Sequence, residues 1–360
     1  MKQPWHFLQL QLQLQLRLRV RLAAPRARQV LPAIAAIGLL ALTTACSSEA
    51  TNPQTAFNPR TDYANIGLDL FKLVIILGVI IGVLVEMVLV FTAIRYRRRA
   101  NDPVPPQIHG NTIVEVLWTT GPVIVVGAIL FFTLPVIFST QAPAPSGSMN
   151  IDVTGHQFWW EFGYPDAGVL TANELHVPVG QTVNLVLQSD DVIHSFWVPA
   201  LGGKRDAFPG HTNYIWFKAD SVGEFPGQCY QLCGYSHGNM REFAIIQSQA
   251  DFQAWLTAQQ APAVTPTDPT AAEGAQLFQT RGCSACHTIN GTPANGNVGP
   301  NLTHVASRGV IAGSILENNA TNLRRWLSDP PAVKPGSIMP NLGLNDHELD
   351  VLVAYLQSLQ

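Results

Sequence analysis

The chain has 360 residues, which predicts two or more domains because a single hydrophobic core rarely organises more than about 250 to 300 residues. Hydrophobic residues make up 47% of the chain and charged residues only 12%, about half the roughly 25% typical of globular domains. This composition predicts that part of the chain lies in lipid. The small net charge of −3 and the lack of a basic, aromatic-rich run exclude a nucleic-acid-binding class, and no nucleic-acid partner is expected.

Residues 1–45 have the pattern of an export signal. A long basic stretch comes first, and a short apolar run from Val30 to Leu42 follows it. The run ends in "TTAC", which is similar to a bacterial lipoprotein signal with Cys46 as the lipidated residue. Such signals prefer Leu where this chain has Thr43, so cleavage without lipidation near Ala45 is the alternative. Either process predicts a chain whose later parts lie outside the cytoplasm.

Residues 66–140 contain two apolar stretches long enough to span a membrane, Leu73–Ile94 and Val116–Phe138. The basic run "RYRRR" follows the first stretch, and the positive-inside rule places that loop in the cytoplasm. Two buried core helices are the alternative, but that alternative leaves the basic cluster unexplained. The pattern therefore predicts a transmembrane hairpin in a bacterial cytoplasmic membrane, with everything after residue 140 on the periplasmic face.

The rest of the chain divides into two units joined by a linker. Residues 145–250 consist of short alternating runs bounded by Gly, Pro and Asp, a pattern typical of a β-sandwich or barrel. Residues 257–270 include "APAVTPTDPT", which predicts an extended linker. Residues 271–360 read as an all-α domain, in which Asn345 and Glu348 predict a capping box at the start of the last helix.

The motif "CSACH" in the last domain is the attachment signature of a c-type haem. Cys283 and Cys286 would bond the haem vinyl groups, and His287 would be the proximal iron ligand. Met339 in "PGSIMP" is the expected distal ligand. A disulfide or thioredoxin-like redox pair is the alternative, but it would need a βαβ context that the sequence lacks. His304 is the nearby rival ligand, and we expect it to be a surface residue.

A second set of metal-binding residues lies in "PGQCYQLCGYSHGNM", residues 226–240. Cys229, Cys233, His237 and Met240 combine thiolates, an imidazole and a thioether, and thioether ligands favour copper over zinc. If both thiolates bridge two copper ions, a second imidazole is needed, and "SDDVIHSFWVPALG" offers His194. A disulfide between the two cysteines and a single-zinc site that leaves Met240 unused are the alternatives.

These stretches, together with "GHQFWWEF", resemble subunit II of the haem–copper cytochrome c oxidases, which carries the binuclear copper centre called CuA. The resemblance runs from the first membrane span to about Gln247, and residues 271–360 resemble a fused cytochrome c domain. It implies that residues 145–250 form a cupredoxin-like domain. The implied ligands are two bridging thiolates, one imidazole for each ion, one thioether and one backbone carbonyl: Cys229, Cys233, His194, His237, Met240 and the carbonyl of Gln231.

The resemblance also implies a function. Electrons from cytochrome c would pass through haem c and CuA to haem in subunit I, where oxygen is reduced and protons are pumped. The implied partners are subunit I, subunit III, a cytochrome c or another electron donor, and membrane lipid. Glu115, in the pattern "E-x-x-W-T", would lie at the entrance of a proton pathway into subunit I, and an interfacial carboxylate in the first turn of a helix is the alternative.

Two departures from the family pattern affect these expectations. Gln231 stands where many relatives have a Glu that also binds magnesium, so the resemblance does not carry a magnesium site to this chain. Phe158 stands where a Trp often receives electrons from external cytochrome c, and Trp159 and Trp160 follow it as candidate electron-entry aromatics. We hypothesise that a tethered haem domain relaxes the need for that Trp.

Other interpretations of these motifs remain open. A copper-bearing subunit of another terminal enzyme, such as a nitric oxide reductase, would have the same motifs. A copper chaperone is a rival of a different class, but Met240, the hairpin and the haem domain argue against a carrier that must release its metal. Glu86, inside the first span, is expected to face a partner helix. Three acids are candidates for docking a basic cytochrome or simply for solvation: Asp190, Asp191 and Asp206.

Overall fold

The computed structural model describes residues 53–99 and 102–360. The predicted export signal of residues 1–45 and Cys46 lie outside the described residues. Residues 54–360 form one compact unit, in which a helical hairpin, a β-domain and a helical domain follow one another along the chain. This order confirms the predicted multidomain architecture.

Two long helices form the hairpin, α1 (Asp62–Arg95) and α2 (Thr112–Gln141). Both are long and apolar enough to cross a membrane. Each extends beyond the predicted apolar stretch because a polar cap starts the helix earlier. The Thr61 side chain accepts a hydrogen bond from the backbone N–H of Ala64, and the Asn111 side chain caps α2 in the same way.

The outer ends of both helices are bonded to the β-domain. The Thr61 hydroxyl, before α1, donates to the carbonyl of Leu201 at 2.6 Å. The Trp216 indole donates to the carbonyl of Ala142, just after α2, at 2.8 Å. The hairpin therefore presents its N-terminal and C-terminal ends to the same face of the β-domain, as a transmembrane anchor for an external domain requires.

The β-domain contains two principal sheets. One has the strand order β3-β2-β1-β5-β8, in which β1 runs parallel to β5, and the other has the order β4-β10-β9. Val153 and Leu185 from the first sheet share one apolar core with Leu175 and Ile246 from the second. This arrangement confirms the predicted β-sandwich. The strands are β1 (Met149–His156), β2 (Trp159–Tyr164), β3 (Val169–Ala172), β4 (Glu174–Pro178), β5 (Thr182–Ser189), β6 (His194–Phe196), β7 (Arg205–Ala207), β8 (Asn213–Lys218), β9 (Gly223–Gln228) and β10 (Arg241–Gln247).

A helix that the sequence did not predict, α3 (Gln249–Gln259), follows the last of these strands. Its Phe252 is fully buried in the β-domain core, and its Trp255 stacks on the ring of His176 at 4.0 Å between ring centroids. The helix ends inside the segment 257–270 that the sequence assigned to the linker. The extended connection is therefore shorter at its start than predicted.

The helical domain is built around the packing of its first helix, α4 (Pro269–Thr280), on its last helix. Gly274 lies at their closest approach, against the carbonyl of Val351. The predicted capping box is confirmed, with the Asn345 side chain and the Glu348 side chain each bonded to the other's backbone N–H. The remaining elements are β11 (Val310–Ile311), β12 (Leu316–Glu317), α5 (Ala320–Ser328), α6 (Pro330–Val333) and α7 (Asp346–Ser358).

The expectation that His304 is a surface residue is wrong. Its side chain is buried, with Nδ1 at 2.7 Å from the carbonyl of Gln360 and Nε2 at 2.9 Å from the carbonyl of Ala261. His304 thus joins the linker to the end of the last helix and does not face the haem cavity.

Candidate copper and haem sites

The predicted copper loop connects β9 to β10, which are antiparallel neighbours. The backbone N–H of Cys229 donates to the carbonyl of Met240 at 2.8 Å, which closes the loop at its base. This ladder bond continues the pairing of the two strands, so the loop is held by the sheet at both ends. Strand geometry therefore places a thiol and a thioether side by side although they are eleven residues apart.

The loop brings all the predicted copper ligands together with His194. The Sγ atom of Cys229 lies 3.9 Å from Nδ1 of His194 and 3.3 Å from the carbonyl oxygen of Gln231. The Sγ atom of Cys233 lies 3.7 Å from Nδ1 of His237 and 4.0 Å from Sδ of Met240. The cysteines, His194 and Met240 are buried.

The two cysteine sulfurs are 4.0 Å apart. This separation is about twice the roughly 2.05 Å of a disulfide, so the disulfide alternative is not what the structure shows. The thiols instead share a hydrogen bond, which lowers the pKa of Cys229 and raises the pKa of Cys233. One thiolate therefore forms readily in this buried pocket, and such a site attracts cations.

His194 is oriented by Asp191, whose carboxylate lies 2.7 Å from Nε2. This contact leaves Nδ1 directed at Cys229. Asp191 also accepts a hydrogen bond from the backbone N–H of Gln157 at 2.6 Å. Burial raises the pKa of Asp191, but the hydrogen bonds from His194, Val192 and Gln157 outweigh it and lower the pKa overall. Asp191 thus positions His194. The interpretation of Asp191 as a docking or solvated acid missed this role.

The donor set fits copper. Two thiolates, two imidazoles, a thioether and a carbonyl converge on one pocket, and soft ligands of this kind favour copper. A zinc site would be complete with four cysteine and histidine ligands and would leave the fully buried Met240 without a role. Glu242, two residues beyond Met240, is fully buried beside Cys229, and burial raises its pKa well above the usual value. No pattern in the sequence marks Glu242.

A cavity in the helical domain contains the four predicted haem residues, Cys283, Cys286, His287 and Met339. The imidazole Nδ1 of His287 donates to the carbonyl of Pro300 at 2.8 Å, which leaves Nε2 free to bind iron. Burial lowers the pKa of His287, so the ring is neutral, as a metal ligand must be. A Cβ at Gly299 would lie 2.5 Å from the ring of His287, so only glycine leaves room for the imidazole there.

The β-domain supplies part of the wall of the same cavity, through Gln157, Phe158 and Trp159. The side-chain amide of Gln157 also donates to the carbonyl of Cys233 in the copper loop. Trp160 points the other way, where its ring lies 5.8 Å from the ring of His194. Phe158 is 5% exposed and Trp160 is fully buried, so these candidate electron-entry aromatics lie inside the protein.

The remaining candidate residues do not line the haem cavity. Glu115 is exposed in the first turn of α2, where its carboxylate accepts from the backbone N–H of Asn111 at 3.2 Å. Asp206 accepts from the Ser195 hydroxyl at 2.6 Å, so it is engaged within the β-domain. Asp190 is exposed and lies 3.7 Å from Nδ1 of His156.

A membrane hairpin, a β-sandwich with a thiolate-rich loop and a haem-binding helical domain together define a membrane-anchored electron-transfer protein. Comparison with known proteins agrees with this class. Residues 53–136 match "Cytochrome C oxidase subunit II, transmembrane domain", residues 168–248 match "Cytochrome C oxidase subunit II, periplasmic domain", and residues 271–360 match "Cytochrome c".

Individual relatives show the family. Cytochrome c oxidase subunit 2 of Alkalihalophilus pseudofirmus is 39% identical over 85% of this chain and 91% of its own, and that of Bacillus sp. strain PS3 is 36% identical over 74% and 80%. Among solved structures, the periplasmic domain of subunit II of cytochrome oxidase (CoxB) of Bradyrhizobium japonicum is 33% identical over 33% of this chain and 97% of its own, with a TM-score of 0.32. The chain belongs to the cytochrome c oxidase subunit 2 family and has a fused cytochrome c domain. It is an electron-transfer subunit of this haem–copper oxidoreductase, and it associates with subunit I in the oxidase complex.

Proposed function

We propose that this chain is the electron-entry subunit of a terminal cytochrome c oxidase. It receives electrons from a cytochrome c at its own haem c, passes them to a binuclear CuA centre and delivers them to haem in subunit I. There oxygen is reduced and protons are pumped. The observation that carries the proposal is the wall that the two sites share, in which Gln157 and Phe158 line the haem cavity while Gln157 bonds to Cys233 of the copper loop.

In this proposal the thiolates of Cys229 and Cys233 and the imidazoles of His194 and His237 would hold two copper ions. Met240 and the carbonyl of Gln231 complete the set. When bound, such a centre supplies a reversible one-electron acceptor. The chain contributes rigidity to it, because β9 and β10 hold both ends of the loop and Asp191 fixes the ring of His194.

For the haem, Cys283 and Cys286 would supply the thiols for covalent attachment, and His287 and Met339 would hold the iron. When bound, the haem supplies a one-electron carrier, and histidine–methionine ligation raises its potential and leaves no open position for other chemistry. The carbonyl of Pro300 holds the imidazole of His287 in the orientation that iron binding needs. The side chains of Phe158 and Trp159 are buried in the wall of the cavity that would hold the haem, where they would exclude water.

The position in the membrane and the partner proteins are proposed from the same family resemblance. We propose a position in the bacterial cytoplasmic membrane with both metal-binding domains on the periplasmic face, and contacts with subunit III and a cytochrome c donor in addition to subunit I. The outer ends of α1 and α2 support this orientation, because both are bonded to the β-domain. Glu115, at the opposite end of the hairpin, is proposed as the entrance of a proton pathway. Gln231 gives no carboxylate for magnesium, and we assign none.

The metal content of the purified oxidase tests the proposal. Metal analysis of the complex, corrected for the copper and haem of subunit I, combined with electron paramagnetic resonance, should give two copper ions per haem c that share one unpaired electron. The Cys233→Ser variant should lose this signal while keeping its covalent haem. Zinc, or one copper ion, in the untreated chain would overturn the assignment.

A further inference from the structure

Two charged side chains cross the boundary between the β-domain and the helical domain in opposite directions. Glu174, at the start of β4, reaches into the helical domain, and Lys334, just after α6, reaches into the β-domain. Glu174 is 4% exposed and Lys334 is 3% exposed. Charged groups are rarely this buried unless their polar atoms are bonded, so each one marks a specific contact.

Glu174 binds the backbone that leads into β11. Its Oε1 atom accepts hydrogen bonds from the N–H of Gly309 at 2.7 Å and of Val310 at 3.1 Å. Two side chains lie near the carboxylate: Nε2 of His176 is 3.7 Å from its Oε2, and the guanidinium of Arg308, which lines the haem cavity, interacts with it electrostatically. Glu174 therefore fixes the segment of the helical domain that borders the haem.

Lys334 binds the backbone beside the copper loop. Its Nζ atom donates to the carbonyl of Phe158 at 2.5 Å and to that of Ala312, in its own domain, at 2.9 Å. Burial lowers the pKa of Lys334 to about 7, against the opposing effect of Cys233. A neutral amine donates hydrogen bonds as an ammonium does, so the two contacts persist in both protonation states. A Cβ at Gly313 would overlap Nζ, so the glycine leaves the space that the lysine occupies.

The two charged contacts lie at either side of a closely packed seam. The Ser236 hydroxyl donates to the carbonyl of Pro335 at 2.6 Å, and the N–H of Arg241 donates to the carbonyl of Gly313 at 3.1 Å. A Cβ at Gly336 would come within 3.2 Å of the Phe158 ring, so the helical domain lies directly on this aromatic side chain. The seam covers Phe158, while Tyr235 of the copper loop remains 94% exposed.

We propose that Glu174 and Lys334 form a two-point latch that holds the haem domain on the β-domain and closes the Phe158 face to every other protein. The haem domain is then the resident partner of this face. A soluble donor then reaches the Phe158 side of the copper loop only by way of haem c. Buried charged contacts add little net stability but penalise any other docking position, because a shifted domain would leave a charge buried without a partner. The closure of the Phe158 face is inferred from geometry alone, whereas the route of electrons from a soluble donor rests on the proposed function.

Hydroxyl-radical footprinting of the intact oxidase tests the closed face without any substitution. Phe158 should be labelled about as little as the fully buried Phe162, whereas the exposed Tyr235 should be labelled readily. Labelling of Phe158 at a rate comparable with that of Tyr235 would overturn the proposal. The labelling of Phe158 does not depend on electron flow. It therefore distinguishes failure of the latch from failure of the proposed function.

Hydrogen–deuterium exchange of the same complex tests the latch residues. Because hydrogen bonds to charged groups contribute about 1.5 to 3 kcal/mol, Glu174→Gln and Lys334→Met should each speed exchange of the Gly309 and Val310 amides by about tenfold or more. Both variants should also increase labelling of Phe158. Glu224→Gln and Lys204→Met, at more exposed positions of the β-domain, are the matched controls and should change neither reading. The proposal would be overturned if both latch variants showed the same amide exchange and the same labelling of Phe158 as the wild type.

Discussion

The carboxylate of Asp191 lies 2.7 Å from Nε2 of His194, and this contact turns Nδ1 of the same ring toward Cys229. The imidazole that we propose as a copper ligand is thus held in place by a second residue of the chain itself. Outer groups of this kind set the orientation and basicity of a ligand.

Asp191→Asn is therefore expected to weaken copper binding by about 10- to 100-fold, because an amide holds the imidazole less strongly than a carboxylate does. Equilibrium copper titration of the reduced protein, followed by its visible spectrum, measures the change. Asp190→Asn is the control, since Asp190 is the exposed neighbour and does not contact His194. Equal affinities in the two variants would contradict the positioning role.

The helix crossing in the haem domain predicts a stability effect. Gly274 on α4 has no room for a Cβ, which would overlap the carbonyl of Val351 on α7. Gly274→Ala should destabilise the haem domain by about 1 to 3 kcal/mol, the usual effect of overpacking, although alanine favours helix in isolation. Thermal unfolding of the full chain, followed by haem absorbance, measures it. Gln276→Ala, on the exposed side of the same helix, should be neutral or slightly stabilising.

The distal haem ligand can be tested by its electronic effect. Met339→Leu keeps an apolar side chain of similar size in the cavity but removes the thioether sulfur. We expect the haem to stay covalently attached and its reduction potential to fall, because a methionine ligand raises the potential and axial ligands span about 0.8 V. Redox titration of haem c reports the change. Met149→Leu, at the start of β1, should leave the potential unaltered, and an unaltered potential in Met339→Leu would assign the sixth ligand elsewhere.

The capping box of α7 predicts a pH dependence. Hydrogen bonds from the Asn345 backbone and the Arg281 side chain lower the pKa of Glu348. A carboxylate with a lowered pKa in the folded state stabilises it above the ordinary value near 4.5, and the stabilisation is lost as the pH falls through the folded-state pKa.

Glu348→Gln should accordingly lower the melting temperature at pH 7, and its difference from the wild type should shrink as the pH falls below about 4.5. The effect is modest because the Arg281 partner is 41% exposed, so solvent screens the ion pair. Melting curves of both proteins over this pH range provide the measurement. Glu317→Gln is the control, because its carboxylate has only a 3.4 Å contact with Asn319. A difference that is constant with pH would exclude the ionised carboxylate as its cause.

The sequence was most informative where the chemistry is local. The membrane spans, the alternation of the β-domain and the capping box of Asn345 and Glu348 all follow from short patterns, and the structure confirms them. Four candidate ligands of the copper loop could be picked out because they lie within twelve residues, and His194 was added because one imidazole was missing. The structure brings these side chains together, and copper binding stays a prediction.

Contacts between distant segments could not be predicted in the same way. No pattern in the sequence marks Lys334 or Glu174, since each of them bonds to backbone groups of the other domain. Asp191 was interpreted as a docking or solvated acid, because the sequence does not show that the turn before β6 places its carboxylate beside His194. His304 was assigned to the surface because both of its partners lie in segments far away along the chain.

The bonds at the outer ends of the membrane helices have a consequence for lipid. The Thr61 hydroxyl donates to the carbonyl of Leu201 at the start of α1, and the Trp216 indole donates to the carbonyl of Ala142 just after α2, so both outer helix ends are bonded to the β-domain. A helix that is too long for a thin bilayer tilts to hide its apolar surface. We expect such a tilt to be passed through these two bonds to the β-domain, so that bilayer thickness would alter the angle between the membrane and the strands that hold the copper loop.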